Sequence, residues 1–380
     1  MEMNVGDRFK TALRCLLIAL GLQSFVLASF PIPQVGNPAK PKYGTIVLEV
    51  ERILKINPYD FSDFGMRSYS FLRNEDGSVI FFNANEAAVH RFGARGENLG
   101  PLSRAGQGPG ELGKVVKPLC RDSRMWVATK RKLIEFDSSG KMLSERPADP
   151  RPEFMIDDTR YLAERTERTA SAGFSQRYFL SIFEVAGPKV PAKKPLDIFG
   201  PVEEGVTQKN GLPFTDVWGT PYLCYGYDPV RRRIYAAMNR EYRISVFDLS
   251  GKLVRIIGKR HIPIKTNVED VEAAYFAYNA VHPGYAKEIA EIYPETYAAI
   301  KKIEILKNGY VLVFRIAGMR KLEVDVFDPE GVYVYALQPP RGMSFEWAAF
   351  HDRGFAAIED EGDYRIYSDY RVKNLPKIFN

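Results

Sequence analysis

A short phrase recurs along this chain, an apolar strand ending in Phe, then three residues, then Gly. It occurs from Phe92 to Gly96, Phe136 to Gly140, Phe183 to Gly187, Phe247 to Gly251 and Phe327 to Gly331. Three copies share a fuller form, Phe136-Asp137-Ser138-Ser139-Gly140, Phe247-Asp248-Leu249-Ser250-Gly251 and Phe327-Asp328-Pro329-Glu330-Gly331. With 24 Phe and 30 Gly in 380 residues, chance would set Gly four places after Phe about two times, and the chain does so eight times. The other three, at Phe61, Phe314 and Phe350, fall outside the register. Each registered copy reads as an outgoing strand, a tight turn that uses glycine's access to positive φ, and a returning strand such as Lys252-Leu253-Val254.

Spacing turns the hairpins into an architecture. Phe92 to Phe136 is 44 residues and Phe136 to Phe183 is 47, close to the roughly 40 to 50 of a four-stranded propeller blade. Phe183 to Phe247 is 64 and Phe247 to Phe327 is 80, so these two intervals need insertions; Tyr367 follows 40 later in Tyr364-Arg365-Ile366-Tyr367. The longer insertion is placed at Asn267 to Ile303, where Val271, Ala274, Tyr275 and Tyr278, then Ile289, Ile292, Tyr293 and Tyr297, follow helical spacing. The shorter is placed at Pro191 to Trp218, a Pro- and Gly-rich stretch expected to be a long connecting loop. The expected fold is therefore all-β, a six-bladed β-propeller of four-stranded antiparallel blades over residues 44–380, with one helical insertion between blades four and five. An open ring leaves strand edges exposed, so the early strand Thr45 to Val50 is expected to close the last blade.

The first thirty residues are a different object. Arg8, Lys10 and Arg14 precede an apolar run from Cys15 to Phe30, and Ala28-Ser29 supplies small residues for cleavage, so residues 1–30 are expected to be a signal peptide and 31–43 a linker. Export to the periplasm or the outside follows, with membrane contact only if the segment is not cleaved. Two cysteines remain beyond it, Cys120 and Cys224; in the repeat frame they fall on blades two and four, which are not neighbours, so two thiols are expected instead of a disulfide. The formal net charge of +6 is modest, and with export it argues against a nucleic-acid partner.

The most distinctive phrase is Arg104-Ala105-Gly106-Gln107-Gly108-Pro109-Gly110-Glu111-Leu112. With the Phe-Asp-x-x-Gly turns and the leader, it resembles the bacterial exported six-bladed β-propeller proteins related to NHL repeats, in which a Gly-x-Gly-Pro-Gly-Glu loop follows an early blade. The resemblance spans about Gly44 to Val372. Chemically, Gly106, Gly108 and Gly110 offer unshielded amides able to hold an anion, while the order of residues lacks the Lys and Ser/Thr of a phosphate-binding P-loop. The other use for such a loop is a rigid crossing between blades, with Glu111 accepting backbone hydrogen bonds.

For function, the frame points to an exported binding or scaffold module, a monomer whose loops on one face take a protein, peptide or glycan partner. The expected binding residues are Gly106, Gln107, Gly108, Gly110 and Glu111 in the loop, and His261, Tyr275, Tyr278 and His282 at the insertion, whose aromatic rings suit such ligands. The alternative is a hydrolase, lactonase or lyase with an axial metal. Only four His exist, at 90, 261, 282 and 351, and neither a nucleophile elbow nor a Cys metal framework is present, so no cofactor and no metal are expected.

Overall fold

The computed structural model describes residues 32–374 apart from 58–68, 75, 84–87, 104–105, 107, 113–115, 122–123, 130, 138, 170–174, 186–193, 206–207, 210–211, 214–220, 268, 270–294, 319–320 and 362–363. Six sheets, each with four consecutive antiparallel positions, form a six-bladed propeller. Blade one consists of Tyr69–Arg73, Val79–Asn83, Ala88–Phe92 and Asn98–Ser103; blade two of Val116–Arg121, Arg124–Thr129, Lys132–Phe136 and Met142–Pro147. Blade three follows with Phe154–Met155, Arg160–Thr169, Ser175–Glu184 and Leu196–Gly205, and blade four with Leu223–Asp228, Arg233–Met238, Arg243–Asp248 and Leu253–Lys259. Blade five has Ile300–Ile305, Val311–Gly318, Lys321–Phe327 and Tyr333–Gln338, while blade six has Ala348–His351, Gly354–Glu361, Tyr364–Val372 and, from the start of the chain, Val50–Ile56.

The repeated phrase is the turn between the third and fourth strands. In Asp248 to Gly251 the Gly251 amide donates to the Asp248 carbonyl, and Asp248 Oδ1 accepts the amides of Ser250 and Lys252 at 2.9 and 3.1 Å. The same bonds recur at Asp137 and Asp328. Gly96, Gly140, Gly251 and Gly331 all take φ between 84° and 88°, a left-handed conformation that a side chain would strain. The register slips by one residue beside Phe136, Phe247 and Phe327, so each turn ends in a bulge that increases strand twist.

The N-terminal segment differs from its expected course. The stretch expected to close the last blade is divided: Thr45–Val47 pairs in parallel with Tyr333–Gln338 of blade five, and the strand that pairs with Tyr364–Val372 of blade six is Val50–Ile56. Before them, Gln34–Asn37, inside the stretch expected as a linker, pairs in parallel with Leu253–Lys259 of blade four. The segment thus edges three successive blades. Buried Asn37 fixes one step, donating from Nδ2 to the Gly258 and Gly331 carbonyls at 3.0 and 2.9 Å and accepting the Tyr333 amide at 2.8 Å.

Two expectations about the insertions change. Leu196–Gly205 lies within the supposed loop of 191–218 but is the outer strand of blade three, because its neighbour Ser175–Glu184 is ten residues long and needs a partner of that length. Likewise Ile303 belongs to the inner strand of blade five: Ile300 and Ile303 are buried between blades four and five. Of the helical insertion expected over 267–303, residues 268 and 270–294 lie outside the described residues, and Tyr297, expected on a helix, is buried in an irregular stretch beside the Lys265–Thr296 bridge.

The core lies between blades, as a radial array of sheets requires. At the seam that closes the ring, Phe81 of blade one meets Tyr367 of blade six edge-on at 5.3 Å, with Ile56 and Ala356 beside them. Cys120 and Cys224 lie on the inner strands of blades two and four; Cys224 is a buried free thiol whose pKa burial raises, so it is poorly reactive.

Candidate functional site

The first strand of each blade surrounds the axis, so residues far apart in sequence meet there. Lys117 on the inner strand of blade two holds its ammonium 5.3 Å from the ring centroid of Phe154, on the inner strand of blade three. Phe154 in turn meets Tyr225, on the inner strand of blade four, edge to face at 6.1 Å. Just before the blade-three strand, buried Glu153 accepts from Lys117 Nζ and from Arg151 Nη2, the latter at 2.9 Å. Glu164, half-buried on the second strand of blade three, completes the group.

Tyr225 interacts with both carboxyls: it lowers the Glu164 pKa, while the charges of Glu153 and Glu164 add to burial in raising its own. Burial raises the Glu153 pKa, but Lys117 and Arg151 outweigh it and hold this carboxyl below its ordinary value. Glu164 lacks a cation of that strength; burial first, and then the charge of Glu153, push it up to about 7. Burial raises the Tyr225 pKa well above its usual value, so its hydroxyl keeps its proton. Glu164 thus exchanges a proton near neutral pH beside two cations and two aromatic rings.

The residues expected from sequence lie elsewhere in the fold. The Gly-rich loop satisfies itself: the Gly108 amide donates to Glu111 Oε2 at 2.9 Å and the Gly110 amide to Glu145 Oε2 at 2.8 Å, while the Gly106 amide goes to the Leu112 carbonyl. Two of these amides thus go to the chain's own carboxylates and one to a carbonyl, and buried Leu112 packs between blades one and two. Gln107 lies outside the described residues, as do Tyr275, Tyr278 and His282. His261 is half-buried against the Tyr242 ring at 5.9 Å, and its pKa is lowered by burial and then by Arg315 and Lys259. Among the described residues, no three His, Cys, Asp or Glu side chains gather where they could hold a metal ion.

Sequence reasoning passed over Lys117, Glu153, Glu164 and Tyr225. Glu164 carries the one available signal, a charge in the run Tyr161-Leu162-Ala163-Glu164, where its neighbours are core residues. Nothing local connects it to Tyr225, 61 positions on.

No protein-family model and no curated protein matches the chain. Among solved structures it is similar to a DUF4221 family member from Bacteroides vulgatus, at 13% identity and a TM-score of 0.48, over 87% of this chain and 99% of the other. It is also similar to a candidate exported protein from Bacteroides fragilis, at 11% identity and a TM-score of 0.48, over 90% of this chain and 100% of the other. A gluconolactonase from Xanthomonas campestris aligns at 10% identity and a TM-score of 0.36, over 87% and 90% of the two chains. At this level the likenesses add nothing to the site.

Proposed function

We propose that this chain is an exported β-propeller binding module whose ligand, a polar group of a peptide, protein or glycan, meets the axial group of Glu153, Glu164 and Tyr225. The observation that supports it best is the meeting of Lys117, Phe154 and Tyr225 from three blades around two carboxyls of unequal acidity. Such a group both donates and accepts hydrogen bonds, and Lys117 and Arg151 supply positive charge beside it. Phe154 and Tyr225 offer apolar faces to the rest of the ligand. Export is supported by the basic start at Arg8, Lys10 and Arg14 and the apolar run after it.

A second reading, a propeller hydrolase or lyase, is favoured by Glu164, since a carboxyl that titrates near 7 is suited to general acid and base catalysis. Native mass spectrometry of the protein recovered from its source tests both. A bound species that is present on the wild type, lost from Tyr225→Phe and released unchanged supports the binding module. A species converted on incubation with the wild type supports the enzyme, and equal retention by the variant contradicts both uses of the axis.

A further inference from the structure

A separate cleft of about 520 Å³ opens where blades five, six and one meet, within the size range of small-ligand sites. Its floor is a fixed ion group. Arg73 Nε lies 2.6 Å from Asp369 Oδ2, and His351 Nε2 lies 2.8 Å from Asp369 Oδ1. The Arg353 amide donates to His351 Nδ1 at 3.3 Å, so the ring proton is on Nε2 and points at Asp369. Arg73 also donates from Nη1 to the Asn74 carbonyl at 3.4 Å, which pins the guanidinium plane while part of the side chain stays open to the cleft. Asp369, 3% exposed, has both oxygens occupied by these partners and offers nothing to a ligand.

The rim carries balanced charge. Lys307, Arg353, Asp76 and Asp352 line the cleft together, all four exposed. An ion of either sign would meet a like charge there, whereas a neutral polyol can accept from the cations and donate to the carboxylates. Leu54, Leu306 and Phe350 give the cleft an apolar wall for the C–H face of such a molecule. We propose that this cleft binds a neutral polyhydroxylated ligand about the size of one sugar ring, either a free monosaccharide or the terminal residue of a glycan.

Saturation-transfer NMR on the purified protein tests this, using glucose, galactose, mannose, fucose and N-acetylglucosamine, their methyl glycosides, and glucuronate and glucose 6-phosphate as charged probes. Transfer to at least one neutral sugar is expected, weakened about tenfold or more in the double variant D352A/R353A, which removes one acceptor and one donor from exposed rim positions. A thermal melt matching the wild type establishes that the variant folds. Transfer to free sugar and methyl glycoside alike marks a glycan terminus, and transfer to the free sugar alone marks a monosaccharide site. The inference is overturned if no neutral sugar shows transfer, if only the charged probes do, or if the double variant binds as the wild type does. It does not depend on the axial site.

Discussion

Two of the carboxylate clusters that join neighbouring blades are finished differently. Between blades four and five, fully buried Asp325 accepts from the Tyr242 and Tyr333 hydroxyls at 2.5 and 2.6 Å and from Lys259 Nζ at 2.6 Å, with Arg315 Nε at 3.6 Å. Lys259, itself 5% exposed, also lies 4.2 Å from the Tyr333 ring centroid. Each carboxylate oxygen has a donor, and the cluster is closed to solvent. At the axis, Glu153 is similarly supplied by Lys117 and Arg151, but Glu164 is pushed up to about 7 by burial and by the charge of Glu153. A buried charge whose partners are complete ties blades together; one left short of a donor keeps a proton and a capacity for a ligand.

The largest effect is expected from breaking the closed cluster. Asp325→Ala leaves Lys259 buried without its anion and should cost about 3 to 5 kcal/mol in urea unfolding. A loss below about 1 kcal/mol would show that the cluster is not a tie. Next comes the pH dependence of Glu164. Its folded value of about 7 exceeds the ordinary 4.5, so its contribution is complete below about 4.5 and is lost as pH rises through about 7. The shift caps this term at about 3 kcal/mol, and partial exposure reduces it to about 1 to 2. Glu164→Gln should flatten stability between pH 4.5 and 7, while an unchanged slope would place the proton elsewhere.

Tyr225→Phe sharpens the same contrast on a smaller scale. Loss of the hydroxyl should destabilise by about 1 kcal/mol and move the Glu164 midpoint upward, because Tyr225 favours the charged carboxyl. A downward movement would mean that Tyr225 does not serve Glu164. Smallest is Asp248→Ala, which removes the acceptor for the Ser250 and Lys252 amides at one repeated turn and should cost about 1 kcal/mol or less, read as a small shift of the thermal midpoint.

The frame was legible because its signal is local. Asp248, Gly251 and their equivalents make their decisive bonds within five residues, so the phrase predicts the turn and the spacing predicts the blades. The outer strand Leu196–Gly205 was misplaced as loop because Pro195, Gly200, Pro201 and Gly205 stand at its ends and at its bulge, where Gly200 takes φ 100°. The path of Gln34–Asn37 was hidden for another reason: parallel pairing on an outer edge needs no turn, and so leaves no mark beside the strand. The axial group was the least legible, since Lys117, Glu153 and Tyr225 come from three blades and only ring closure relates them. Lys259, next to Arg260 and His261 in sequence, is buried against a carboxylate 66 residues away, which no local pattern marks.

The central claim is that Glu164 keeps its proton near neutral pH while Glu153 does not. A carboxyl-detected ¹³C titration of the glutamates, run on the wild type and on Glu164→Gln, measures this directly. One glutamate midpoint near 7, absent from the variant, is the predicted result. Every glutamate midpoint at or below the ordinary 4.5 would contradict it.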